Sequence, residues 1–204
     1  MEIIYLLPVI IGAYLIGSIP FGVFVGKYFC KIDIRTIGSG NIGAANAFRT
    51  LGVIPGIIVL LGDAAKGGLP VYLVWKCFGS YSYIYGGVEF IQVLVGLAAI
   101  LGHNYSCFLG FKGGKGIATS AGVFVVLSWK ACLGALIIWI SAVLITRFSS
   151  VGSLSAAAAL PILLWKFGAP SAHIIFGVLA SLFAFVKHKD NIKRLIHGEE
   201  NKLF

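Results

Sequence analysis

The run Phe108-Leu-Gly-Phe-Lys-Gly-Gly-Lys-Gly-Ile117 sets two lysines, Lys112 and Lys115, around the glycines Gly113 and Gly114, with Gly116 closing the segment. Glycine backbones can turn their N–H groups into a concavity that closes on an anion, and lysines add point charges. Phosphate suits such a loop, and apolar chain on both sides would put grease beside it. A second polar run, Ile34 to Arg49, contains Gly38, Ser39, Gly40, Asn41 and Asn46. It predicts a glycine-rich turn opening a short helix from about Ile42, whose free N–H groups favour an anion. Ser39 and Asn41 add side-chain donors there, and Arg49 offers a fork that grips phosphate bidentately. In a third run, His188 and Asn191 stand three residues apart on one helical face, where both can reach a common polar ligand. His103, at the end of an apolar stretch, can bind substrate, move a proton or donate to a backbone carbonyl. Asp63 and Lys66 lie inside an apolar segment at a spacing that lets their charges neutralise each other.

Several familiar chemistries fail on these residues. Gly38-x-Gly40-x-x-Gly43 with Asp63 twenty residues on matches a dinucleotide fingerprint in letters. The glycines follow a long apolar helix, however, and no βαβ unit can form there. The lysine loop is no Walker A motif, because Lys115 precedes Gly116 rather than Ser or Thr, and Leu109 stands where the first glycine belongs. A His-x4-Asp acyltransfer pair is missing too: Phe108 sits at that spacing from His103, and Lys193 from His188. With no Gly-x-Ser-x-Gly elbow either, a covalent acyl-enzyme is not expected. The four cysteines are scattered without CxxC spacing, so neither a metal site nor a disulfide framework is expected.

The elements that must carry these residues are membrane helices. The chain is 204 residues long and 59% hydrophobic, with 11% charged residues, and its mean hydropathy is +0.98. Soluble domains carry about 25% charged residues. The expected fold class is all-α, a polytopic integral membrane bundle forming one domain over 1–204. Apolar stretches run over about 3–27, 52–78, 86–104, 130–147, 151–168 and 171–187, and a shorter one over 117–129. Taking the short one as a span predicts about seven transmembrane helices. Lys27, Lys31, Arg35, Arg49, Lys112, Lys115, Arg147, Lys187, Lys189, Lys193, Arg194 and Lys202 then share one side, 12 of the 16 basic residues. The positive-inside rule puts that side in the cytoplasm and the N-terminus outside. The start, Met1-Glu2 before an apolar run, has no basic n-region, so the first helix is expected to stay in the membrane. The tail from Lys187 repeats Ile192, Leu195 and Ile196 at helical spacing, which predicts a short amphipathic helix along the inner surface.

Taken together, Gly38-Ser-Gly-Asn-Ile-Gly-Ala-Ala-Asn46 with Arg49, Gly102-His103 through Gly116, Asp63-x-x-Lys66-Gly67, and His188-x-x-Asn191 through Gly198 resemble the bacterial membrane glycerol-3-phosphate acyltransferases that use an acyl phosphate donor, the PlsY family. Ala45, Ser106, Lys189 and Glu199 depart from that family's threonine, proline, arginine and threonine. None of the four removes a phosphate-binding charge, although Ala45 loses a hydroxyl. The resemblance implies acyl transfer from acyl phosphate to the 1-hydroxyl of sn-glycerol 3-phosphate, giving lysophosphatidic acid and phosphate. This is the first step of phospholipid synthesis, run without a cofactor at the cytoplasmic side of a bacterial inner membrane. It implies catalytic roles for Ser39, Arg49, Lys112, Lys115, His188 and Asn191. Substrate-binding roles are implied for Gly38, Gly40, Asn41, Asn46, Lys66, His103, Gly113, Gly114 and Gly116. The expected partners are the two substrates and membrane lipid, with no nucleic acid and a monomeric chain. A transporter or flippase for a phosphorylated solute is the competing class, since charges within a span suit it. Clustering of the polar runs at one membrane face, and the lack of an internal repeat, argue against that class.

Overall fold

The computed structural model describes residues 3–78 and 87–204. Every regular element among them is helical: α1 (Ile3–Ser18), α2 (Phe21–Phe29), α3 (Ala44–Thr50), α4 (Val53–Phe78), α5 (Gly87–Asn104), α6 (Ile117–Leu127), α7 (Trp129–Thr146), α8 (Ser149–Lys166), α9 (Ser171–Lys187) and α10 (Lys189–His197). Single 3-10 turns occupy Ile34–Thr36 and Cys107–Leu109. By length and apolarity, four described stretches can cross a membrane: Leu6–Phe29, Val53–Phe78, Gly87–Leu109 and Trp129–Thr146. A fifth is added if α9 and α10, which meet at a 55° bend, count as one. Helix α6 has 11 residues, a rise of roughly 16 Å against a hydrocarbon core of about 30 Å.

The first apolar stretch is not one helix. It breaks at Ile19-Pro20, because proline has no N–H to continue the ladder and its ring crowds the preceding turn. The short helix expected from Ile42 starts instead at Ala44, with Gly43 in extended conformation as its cap.

The chain divides into two compact units, residues 1–127 and 128–204. In the first, α4 packs on α6 and α1 on α5. Both contacts are backbone-close. A Cβ on Gly67 would run into the Thr119 carbonyl, one on Gly122 into the Ala64 backbone, and one on Gly17 into the Ala99 backbone. Small residues at these crossings let van der Waals contact replace the hydrophobic drive that lipid cannot supply. Val23, Val25, Ile34, Ile42, Ala47 and Val59 form a buried apolar cluster beneath the glycine-rich turn. In the second unit, α7 packs on α8 and α8 on α9. The tail after α10 folds back far enough for the Leu203 amide to donate to the Arg147 carbonyl at 2.8 Å.

Candidate active site

The first polar segment is a loop braced from inside by one side chain. Asn46 is 2% exposed. Its Oδ1 accepts from the Ser39 amide at 3.0 Å. Its Nδ2 donates to the carbonyls of Ile34, Ile37 and Asn41 at 3.2, 3.2 and 3.0 Å. Gly38 and Gly40 take φ of 58° and 67°, in the left-handed region where a Cβ is costly. Asn41 Oδ1 accepts from the Gly43 amide at 2.9 Å, an Asx turn that leads into α3. Ser39 is thereby left exposed at the loop tip. Arg49 is half-buried in the last turn of α3. Ahead of the loop, Asp33 accepts from Arg35 Nε at 2.9 Å and Nη2 at 2.6 Å, and from the Arg35 amide at 3.1 Å. Those bonds, the side-chain ones foremost, hold the Asp33 carboxyl well below the usual carboxylate range.

The second segment leaves α5 at Asn104 and turns through Cys107–Leu109. Gly110 at φ 60°, Phe111 at φ 61° and Gly116 at φ 80° then steer the chain into α6. Its bend is tied down by backbone bonds from the Phe111 amide to the Ser106 carbonyl at 2.8 Å and from the Gly114 amide to the His103 carbonyl at 3.0 Å. Lys112 is exposed, Lys115 half-buried, and Gly114 and Gly116 are buried. Ser106 Oγ donates to the Ser18 carbonyl at 2.6 Å, and Lys66 Nζ donates to the Ile19 carbonyl at 2.7 Å. These two carbonyls lie at the α1–α2 break, where the helical ladder ends before Pro20. Ser106 therefore has a definite partner. Lys66 also lies 2.8 Å from Asp63 Oδ1, which faces His103 Nδ1 at 3.5 Å. All three side chains are buried, Lys66 and His103 at 3% exposure.

In the second unit, His188 forms the corner between α9 and α10 and is 3% exposed. Its Nδ1 donates to the Ala184 carbonyl at 2.8 Å, which leaves Nε2 as the lone-pair nitrogen of the neutral ring. Asn191, 6% exposed, donates through Nδ2 to Glu200 Oε1 at 2.6 Å. Glu200 also accepts from Ser150 Oγ at 2.8 Å and from Arg194 Nε at 2.8 Å. Burial pushes the Glu200 carboxyl up, but the bonds from Asn191, Ser150 and Arg194 outweigh it and set it below the ordinary glutamate value. Glu200 is the residue that sequence reasoning missed. The available signal was an acid just past the cap glycine, Gly198, in an otherwise basic tail.

Within the first unit, two polar segments thus surround the broken α1–α2 helix. In the second, His188 and Asn191 occupy one corner. The family model described as glycerol-3-phosphate acyltransferase matches residues 7–198. The chain is 48% identical over 193 residues to the glycerol-3-phosphate acyltransferase of Trichlorobacter lovleyi, covering 95% of each chain. It is 44% identical over 190 residues to that of Geobacter sulfurreducens, covering 93% of each. Among solved structures it is similar to a crystal structure of PlsY (YgiH), an integral membrane glycerol 3-phosphate acyltransferase, in its glycerol 3-phosphate form. The TM-score is 0.88 at 35% identity, over 97% of this chain and 95% of that one. The lysophosphatidic acid form of the same protein gives 0.87 and 34% over the same shares.

Proposed function

Because this chain belongs to the glycerol-3-phosphate acyltransferase family, we propose that its polar segments bind two phosphate-bearing substrates and pass an acyl group between them. The protein is a membrane acyltransferase that converts glycerol 3-phosphate to lysophosphatidic acid. The carrying observation is that the family match runs over all three polar segments, from 38–49 through 102–116 to 188–198.

The donor is an acyl phosphate. Both substrates then carry a phosphate, which accounts for two separate cationic, glycine-rich loops. Ser39 and Arg49 act at one phosphate, and Lys112 and Lys115 with the Gly113 and Gly114 backbone at the other. Gly38, Gly40, Asn41 and Asn46 shape the first loop, and Gly116 closes the second. His188 and Asn191 orient the glycerol. The glycerol 1-oxygen bonds to the acyl carbon while the bond from that carbon to the phosphate oxygen breaks, and inorganic phosphate leaves. An acyl phosphate is already activated, so positioning and charge neutralisation drive the step without an acyl-enzyme. The hydroxyl proton goes to His188 Nε2 or to the departing phosphate.

The chain works as a monomeric single domain over 1–204 in a bacterial inner membrane. Seven spans place the N-terminus outside and the polar segments at the cytoplasmic face. Support comes from the side-by-side count of basic residues.

Purified protein in detergent, given palmitoyl phosphate and glycerol 3-phosphate, should release phosphate and lysophosphatidic acid in equal amounts. A transporter would do nothing without a compartment. The variant His188→Ala should lower kcat by about 100-fold if the ring takes the proton. Near-full kcat at saturating substrates would assign the proton to phosphate.

A further inference from the structure

The buried charges of α4 reach the lysine loop through His103. Asp63 and Lys66 stand one turn apart, paired at 2.8 Å, and Asp63 faces His103 Nδ1 at 3.5 Å. The far side of the imidazole lies against Gly114. A Cβ at Gly114 would collide with Nε2 and the two ring carbons beside it. A Cβ at Gly113 would meet the His103 carbonyl and the Asn104 backbone, and one at Gly116 would meet the Asn104 side chain. The loop is therefore moulded on a floor made by His103 and Asn104. Gly113 and Gly114 do not have positive φ, so it is this floor, not backbone conformation, that demands glycine there.

An ion pair buried in a membrane helix is a costly way to fill space, since apolar residues of equal volume pack there more cheaply. What apolar residues lack is direction. The carboxylate facing Nδ1 at 3.5 Å favours one orientation of the ring. Lys66 fixes the carboxylate and is itself fixed by the Ile19 carbonyl at 2.7 Å.

We infer that Asp63, Lys66 and His103 are positioning residues that set the shape of the Lys112–Gly116 loop through the contact of the His103 ring with Gly114. This rests on the proposed phosphate-binding role of that loop, and gives His103 and Lys66 an indirect part in it. Neither side chain needs to touch substrate.

The test is a cycle of His103→Ala, Gly114→Ala and the double variant in the full-length protein in detergent. Hydrogen exchange over the loop is read by mass spectrometry without substrate, and kcat and KM are read for glycerol 3-phosphate and for palmitoyl phosphate in turn. Each single variant should speed loop exchange about tenfold or more. Each should also raise KM about tenfold for one of the two substrates, the one whose phosphate the loop holds, while kcat changes less than about threefold. In the double variant the added methyl enters the space the ring vacates, so its losses should not exceed those of either single. His103→Gln, which keeps an N–H for Asp63, guards against a His103→Ala protein that fails to fold and should likewise loosen the loop. Losses that multiply in the double variant, loop exchange at the wild-type rate, or a fall in kcat with KM unchanged would each overturn the inference. Exchange needs no turnover, so it is read whether or not the wild-type protein transfers acyl groups.

Discussion

At the residue scale, the candidate site rests on buried side chains whose polar atoms brace its loops. Asn46, in α3, is the plainest case, with four hydrogen bonds to the backbone of the segment before its helix. Asn46→Ala should strand those buried backbone groups and cost about 1–3 kcal/mol, seen as a lower unfolding temperature and a raised KM. Asp63 follows the logic of buried charge. Asp63→Asn leaves the Lys66 ammonium without its carboxylate at 3% exposure. The expected loss is about 3–5 kcal/mol, with much of it restored in the Asp63→Asn, Lys66→Met double variant, where no net charge stays buried. Thermal unfolding in detergent checks both, and a double variant no better than the single would argue against the pairing.

At the element scale, α10 is held in place by the C-terminal tail. Glu200 gathers Asn191 and Arg194 from α10 and Ser150 from the start of α8 onto one carboxylate. Its folded-state pKa lies below its unfolded value, so the unfolded chain binds the extra proton as pH falls. The stabilisation is full above the unfolded value near 4.5 and is lost as pH drops through the lower folded value. Limited proteolysis of the tail should therefore accelerate only on the acid side in the wild type. Glu200→Gln should be cleaved quickly already at neutral pH. Equal cleavage of the two at pH 7 would show that the carboxylate does not hold the tail. The break between α1 and α2 works at the same scale. Proline ends the ladder, and the carbonyls of Ser18 and Ile19 at the break are the acceptors that anchor Ser106 and Lys66.

At the scale of the whole molecule, backbone-close helix crossings set where the loops emerge. Replacing a helical glycine by alanine normally gains roughly 1 kcal/mol. Gly122→Ala should lose instead, by about 1–3 kcal/mol, because its methyl meets the Ala64 backbone across the α4–α6 crossing. Gly12→Ala is the internal control, since nothing lies within 4 Å of a Cβ there, and it should be neutral or stabilising. Unfolding temperatures of the two variants in parallel decide whether packing or helix propensity governs this chain.

The sequence by itself determined the class of protein, a helical membrane protein, because hydropathy and span length are sums over many residues and tolerate local error. It also picked out the three polar segments, two by glycines beside Ser or Lys in an apolar chain and the third by His188 and Asn191 sharing a helical face. Tertiary structure alone decided what each polar side chain does within its unit. Asn46 and Ser39 look equivalent in the sequence, yet one is buried at the start of α3 under the preceding loop and the other exposed at that loop's tip. Lys66 and Lys112 are both lysines near glycines, but one meets the Ile19 carbonyl, 47 positions earlier at the helix break. Glu200 looked like a tail charge until the chain folded it back onto Ser150. Direction and partner depend on residues distant in the chain, and no local pattern records them.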